Sequence, residues 1–188
     1  SKSELYIVEG DSAGGCFSGD TQIALLDGRN ISFEKLIEEY QQGIKHYCYT
    51  LTEDGTIDIA PIKHPRKTKS NAEVMKLILD NDQEIICTPD HLFMLKDGSY
   101  KKAQELTEQD SLMPLYRKHS KIEKRITIEG YEMIFDSKKP GWIFTHLLAD
   151  RHNLKNNKYS CDAGTHKHHI DFNKLNNNPE NIVRMQPE

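Results

Sequence analysis

The residues of this 188-residue chain best equipped for chemistry lie in three places. Near the start, Leu5-Tyr6-Ile7-Val8 has the residue types of a buried strand and runs into Glu9-Gly10-Asp11-Ser12-Ala13-Gly14-Gly15. Acids and glycines at a strand end are a common setting for a magnesium-dependent site. Directly after them stands Cys16, a thiol, and about seventy residues on Thr88-Pro89-Asp90-His91 sets a hydroxyl three residues from an imidazole. The third place is Gly164 to Ile182, which gathers His166, His168 and His169 with Asp171, Asn173, Asn176, Asn177, Asn178 and Asn181. An imidazole whose unperturbed pKa lies near neutrality can give or take a proton in any of these settings.

The string Ser3 to Gly15, SELYIVEGDSAGG, resembles the nucleotidyl-transfer (TOPRIM) motif of type II topoisomerases, most closely that of gyrase B. That resemblance implies a catalytic, magnesium-associated acid at Glu9, useful only in the finished topoisomerase. The topoisomerase string would continue past Gly15 with a small residue and a basic stretch, whereas here it becomes Cys16-Phe17-Ser18-Gly19-Asp20-Thr21. This second string is similar to the first block of an intein, and Cys87-Thr88-Pro89-Asp90-His91 is similar to the block that carries the Thr-x-x-His signature. An enzyme motif severed at the first residue of an intein block is what an inserted intein produces.

The intein resemblance implies a mainly β Hint domain, horseshoe-like, and a mechanism. The Cys16 thiol attacks the carbonyl carbon of Gly15, an N–S acyl shift that converts the peptide bond to a thioester. A soft nucleophile one side chain away from its target makes the step intramolecular, with a large effective molarity. The departing amine leaves badly unless protonated, so His91 takes the role of acid. The oxyanion needs a donor, either the Thr88 hydroxyl or a neighbouring backbone amide. Gly15, the scissile acyl residue, has no side chain to obstruct a distorted peptide. Inteins end in a His-Asn pair followed by Cys, Ser or Thr, whereas this sequence closes on Met185-Gln186-Pro187-Glu188. The expectation is that splicing begins here and is completed only with a C-terminal intein fragment carrying the C-extein of gyrase B. The chain is then either one piece of a split intein or a truncated one.

The third cluster resembles an HNH homing endonuclease: a histidine pair on a strand, Asp171 two residues later, an asparagine-rich loop, then Pro179-Glu180-Asn181-Ile182 opening a helix. By that resemblance His168 is a metal ligand, His169 the general base that activates water, and Asn181 the residue that orients it. A magnesium ion would stabilise the leaving oxygen of a DNA partner, the homing site in an uninterrupted gyrase gene. The family's last metal ligand falls about nine residues after the helix asparagine, past Glu188, so little cleavage is expected of this segment alone. His146 and His152 read as packing or surface groups.

Composition frames these readings. The formal charge of −4 hides a split: Ser1 to Tyr116 carries 12 basic and 20 acidic residues, Arg117 to Glu188 carries 13 and 9, with six of the nine histidines. The second part is the better candidate for phosphate contact, with Lys155, Lys158, Lys167 and Lys174 available, although solvated side chains explain so modest an excess as well. The expected divisions are 1–15 as host segment, 16–116 as the N-terminal part of the splicing domain and 117–188 as an incomplete HNH-like segment, small, α+β and ββα-metal-like. No stretch approaches a membrane span and no signal peptide is evident, so a cytoplasmic setting is expected. The four cysteines follow no metal-ligand spacing and read as reduced thiols, Cys48 and Cys87 as small core residues.

The elements that must hold these groups are short. Thr21 to Leu26 turns at Asp27-Gly28, and Ser32 caps a helix with Phe33, Leu36, Ile37 and Tyr40 on one stripe. Strand-and-turn runs follow at Tyr47–Leu51, Ile57–Ile62, Val74–Leu79, Glu84–Cys87 and Leu92–Leu95, then a helical turn at Ala103–Leu106 and a strand at Ser111–Leu115. Past Arg125 the pattern predicts a hairpin about Glu129-Gly130, a helix over Trp142–Leu154, a strand over Thr165–Phe172 and a helix from Asn178.

Overall fold

The computed structural model describes residues 15–187 and, as backbone, Glu4–Glu9. In chain order the strands are β1 (Glu4–Glu9), β2 (Phe17–Ser18), β3 (Gln22–Ala24) and β4 (Asn30–Ser32), followed by helix α1 (Phe33–Gln41). Then come β5 (Tyr47–Leu51), β6 (Ile57–Pro61), β7 (Lys63–Ser70), β8 (Met75–Ile78), β9 (Glu84–Cys87), β10 (Leu92–Met94) and β11 (Tyr100–Lys102). The last part holds β12 (Arg117–His119), β13 (Glu132–Asp136), β14 (Gly141–Phe144), helix α2 (Thr145–Lys155), β15 (His166–His169) and β16 (Ile182–Met185). The structure is mainly β, as the alternation and turn signals predict.

The chain divides into two units. The first comprises Ser1–Ile23, Asn30–Lys45 and Ile62–Pro114. Its main sheet has the order β7-β1-β2-β9-β8, antiparallel throughout. The host-like strand β1 is therefore central, with Tyr6 opposite both Phe17 on β2 and Lys67 on β7. Strand β7 escapes a reading by pattern, because Lys63-His64-Pro65-Arg66-Lys67 has no apolar alternation. It forms an edge, the one place where proline and repeated cations are tolerated in a sheet. Its pairing with β1 slips between Leu5↔Lys69 and Tyr6↔Lys67, leaving Thr68 as an extra residue in a bulge. Helix α1 forms as expected: Ser32 is its N-cap, the hydroxyl accepting from Lys35 N at 3.1 Å, and Phe33 and Leu36 are buried. Ile37 and Tyr40 of the expected stripe are only half-buried, while Glu39 is buried. Ser111–Leu115 forms no strand, only a bridge between Leu112 and Leu95.

The second unit comprises Ala24–Arg29, His46–Pro61 and Leu115–Glu188. The cut expected near residue 117 is thus not where the contacts divide: the β5–β6 hairpin and the Asp27-Gly28 turn share a core with the C-terminal part. Leu26, Tyr47 and Ile59 pack with Ile134, Leu148, Ala149 and Ile182 in one buried cluster. Three local expectations are corrected. Strand β13 pairs with β12 and β14, not across Glu129-Gly130 with Ile126 and Ile128. Trp142, Ile143 and Phe144 are strand, and α2 begins only at Thr145. No helix starts at Asn178: Pro179–Asn181 make one 3₁₀ turn, and Ile182–Met185 return as β16 beside β15. Ile182 is fully buried in the core cluster and pairs with His169, so tertiary contacts draw this stretch into a strand.

No helix among the described residues is long and apolar enough to cross a membrane.

Candidate functional site

The first candidate site is assembled by the pairing of β2 with β9. Phe17 stands opposite Cys87, and the ladder continues one residue beyond: Thr88 N donates to Cys16 O at 2.9 Å, and Cys16 N donates to Thr88 Oγ1 at 3.0 Å. Residues 72 positions apart are thereby locked face to face, both of them buried. The four residues from Thr88 to His91 close a turn through His91 N donating to Thr88 O at 3.1 Å, and Ala103 N donates to His91 O at 2.8 Å. The imidazole of His91 lies between Phe17 and Phe93, ring centroids 4.1 and 4.8 Å away.

Gly15 completes the group. Its φ is +98°, which favours glycine, and a Cβ placed there would lie 2.3 Å from Cα of His91 and 2.8 Å from its Nδ1. His91 therefore packs directly on the residue before Cys16, and no larger side chain fits. Burial among aromatic rings lowers the His91 pKa below its usual value, opposed by the Gly15 backbone and by Asp90. The ring is neutral at pH 7, with Nδ1 buried and without a hydrogen bond of ordinary geometry.

Four of the sequence-predicted residues, Gly15, Cys16, Thr88 and His91, are thus neighbours. The Thr88 hydroxyl accepts from the nitrogen of the Gly15–Cys16 bond, which puts it on the leaving-group side of that bond. Cys16 Sγ has another neighbour that pattern reading missed: Thr68 Oγ1 at 3.2 Å. No motif surrounds Thr68 and it lies on a strand without alternation. The other core thiols are chemically quiet, since burial pushes Cys48 and Cys87 up to about 11. Glu9 closes β1, and its side chain lies outside the described residues.

The histidine and asparagine cluster of the second unit is arranged differently from the expectation. His169 is buried, and its Nε2 meets Asn177 Oδ1 at 2.9 Å, so Asn177 rather than Asn181 holds the ring. Asn181 instead braces the loop: Asn181 Oδ1 accepts from Asp171 N, and its Nδ2 donates to Asp171 Oδ1 and Asn176 O, both at 2.8 Å. Asp171 is further held by Asn176 Nδ2 and by Asn173 N, and these hydrogen bonds keep its carboxylate below the usual range against the opposing effect of burial. His168 packs on Phe172 and, with Lys167, His169, Lys174 and Tyr131, borders a cleft of about 110 Å³. Among the described residues no three His, Cys, Asp or Glu side chains converge as metal ligands. Asp171 is held by amide donors and His169 by Asn177, while His168, the expected magnesium ligand, stands at the cleft. His146, placed on α2 as a packing residue, is buried against Tyr131, Phe144 and His169.

Comparison with known proteins identifies the family. A family model, the intein splicing domain, matches residues 23–181, running through both units. The chain is 57% identical over 189 aligned positions to the gyrase B protein (DNA gyrase) of Synechocystis sp., an alignment that takes in all of this chain and 18% of that protein. It is also 34% identical over 99 positions to the replication factor C small subunit of Methanocaldococcus jannaschii, covering 52% of this chain and 5% of the relative. The chain therefore spans under a fifth of the length of either relative. The family match covers most of the sequence, and the chain belongs to the intein splicing domain family.

Proposed function

We propose that this chain carries the N-terminal part of a self-splicing element set within a gyrase B precursor, and that the bond it activates is Gly15–Cys16. The observation that carries the proposal is the convergence of Thr88, His91 and Cys16 on that one peptide. Cys16 Sγ forms a bond to the carbonyl carbon of Gly15, and the bond from that carbon to Cys16 N breaks. The thiol proton ends on the released α-amine. A neutral His91 at rest takes this proton and, because its conjugate acid is made stronger by burial, passes it on readily to an amine. Thr88 holds the leaving nitrogen through the 3.0 Å hydrogen bond and keeps it oriented as the bond lengthens. The product is a thioester joining residues 1–15 to the Cys16 side chain.

Exchange of this thioester for a peptide bond to the second host segment requires a C-terminal intein part, with an asparagine that cyclises. That partner, the C-extein and the topoisomerase activity to which Glu9 would contribute belong to the same proposal. The support is the family match together with the 57% identity to a protein named gyrase B. DNA cleavage by the second unit is not part of this reading: His169 and Asn181, expected as its base and as the residue orienting that base, are hydrogen-bonded to Asn177 and to Asp171 and Asn176 respectively.

The test is mass spectrometry of the chain incubated with a small thiol. Release of the Ser1 to Gly15 peptide as a thioester is expected. Cys16→Ala abolishes it, and His91→Ala slows it by about a hundredfold or more, the usual weight of a general acid. An intact mass after prolonged treatment, with and without the C-terminal part, overturns the proposal.

A further inference from the structure

We propose that Thr68 is a positioning residue for Cys16, its hydroxyl holding the nucleophilic sulfur in place from the bulge in β7. The inference rests on the reading of Cys16 as the nucleophile and goes beyond the Thr-x-x-His turn, which acts on the nitrogen side of the bond and leaves the sulfur unattended.

Two observations carry it independently. The first is contact: Thr68 Oγ1 lies 3.2 Å from Cys16 Sγ, within hydrogen-bonding distance for sulfur, between residues 52 positions apart. The second is backbone geometry. Along β7 the partners of Leu5 and Tyr6 are Lys69 and Lys67, so Thr68 is the residue left over. A bulge of this kind bends its strand and re-aims one side chain, and bulges gather beside active sites for that reason. A regular ladder would set residue 68 opposite a residue of β1, with its side chain in strict alternation with its neighbours. The extra residue releases Thr68 from that alternation.

The chemistry follows from the charge state. Toward a thiol the hydroxyl can accept or donate, but toward the thiolate that attacks Gly15 it must donate. A hydroxyl poised at the sulfur therefore restrains its rotamer before reaction and stabilises the charged form during it. Threonine suits the task because its branched Cβ leaves few χ1 rotamers.

The experiment compares Thr68→Val, isosteric without the donor, with Thr68→Ser, which restores it, in the full chain. Two quantities are read: the rate of thiol-induced release of Ser1 to Gly15, and the pH profile of iodoacetamide alkylation at Cys16 followed by peptide mass. Thr68→Val is expected to slow release about fivefold, the weight of one hydrogen bond, and to move the midpoint of Cys16 alkylation up by about 0.7 pH unit. Thr68→Ser recovers both. Unchanged rate and midpoint in Thr68→Val overturn the proposal, and so does a slow Thr68→Val whose alkylation midpoint is unmoved and which Thr68→Ser fails to rescue. The alkylation profile needs no splicing chemistry, so it decides the role of Thr68 even if no peptide is released.

Discussion

Two imidazoles shielded from water, one half-buried and one buried, differ in what each ring touches. His91 packs against Gly15, the acyl residue of the bond proposed to break. His146 sits on α2 against Tyr131, Phe144 and His169, with no partner at Nδ1. Burial, reinforced by His169 and Lys167 and opposed by Asp150, drops the His146 pKa to about 4. An unfolded imidazole titrates near 6.5, so between pH 6.5 and 4 the unfolded chain binds a proton that the folded one refuses. Stability from this residue is therefore full above about pH 6.5 and declines as pH falls toward 4, by up to about 3 kcal/mol. Urea unfolding at pH 7 and pH 5 checks it: the gap between the two midpoints is expected to narrow in His146→Phe. An equal gap in both chains would remove His146 from the account. At this scale the candidate site was legible, because Cys16 and the Thr88 to His91 turn are local strings. Thr68, Asn177 and the hydrogen bond of Thr88 to the scissile nitrogen were not, since each is a relation between residues distant in sequence.

Elements show the same division. Helix α1 and strands β5 and β9 stand where cap, stripe and alternation place them, because one face of each is buried and the other solvated. Strand β7 and strand β16 do not announce themselves. The first is a charged edge that exists by pairing with β1; the second follows a 3₁₀ turn that had the look of a helix start. The position of β1 has a functional consequence. Residues Glu4–Glu9, which read as host sequence, are hydrogen-bonded on both sides within the splicing unit. A proline at Tyr6, opposite Phe17 and Lys67, removes a ladder donor and disturbs the neighbouring bonds, about 1–3 kcal/mol in all. Release of the first fifteen residues is expected to slow about tenfold in Tyr6→Pro and to change little in Tyr6→Thr. Equal rates in the two variants would mean that the flank docks without its ladder.

On the scale of the whole molecule, neither unit is a continuous stretch of chain. The second draws Leu26, Tyr47 and Ile59 from early in the sequence into the core made by Ile134, Leu148, Ala149 and Ile182. Each large branched side chain in such a cluster contributes about 2 kcal/mol through burial. It is further tied by Arg184, whose Nε and Nη2 reach Asp150 at 2.8 and 2.7 Å, and by Tyr159 donating to the same carboxylate. A chain ending after Tyr116 would leave the β5–β6 hairpin without these partners. In that truncation, limited proteolysis is expected to cut within His46–Pro61 about ten times faster than in the full chain, with increased binding of a hydrophobic dye. Equal protection would restore the simple cut near residue 117. The sequence by itself determined the chemistry on offer, the mainly β class and the bond proposed to react, because these follow from residue types in short strings and from local periodicity. Only the tertiary structure decided which residues share a core, that Asn177 meets the His169 ring while Asn181 braces the loop, and that a threonine from an edge strand stands at the sulfur. Those are long-range contacts, and burial and strand pairing set them across dozens of residues where no local pattern records them.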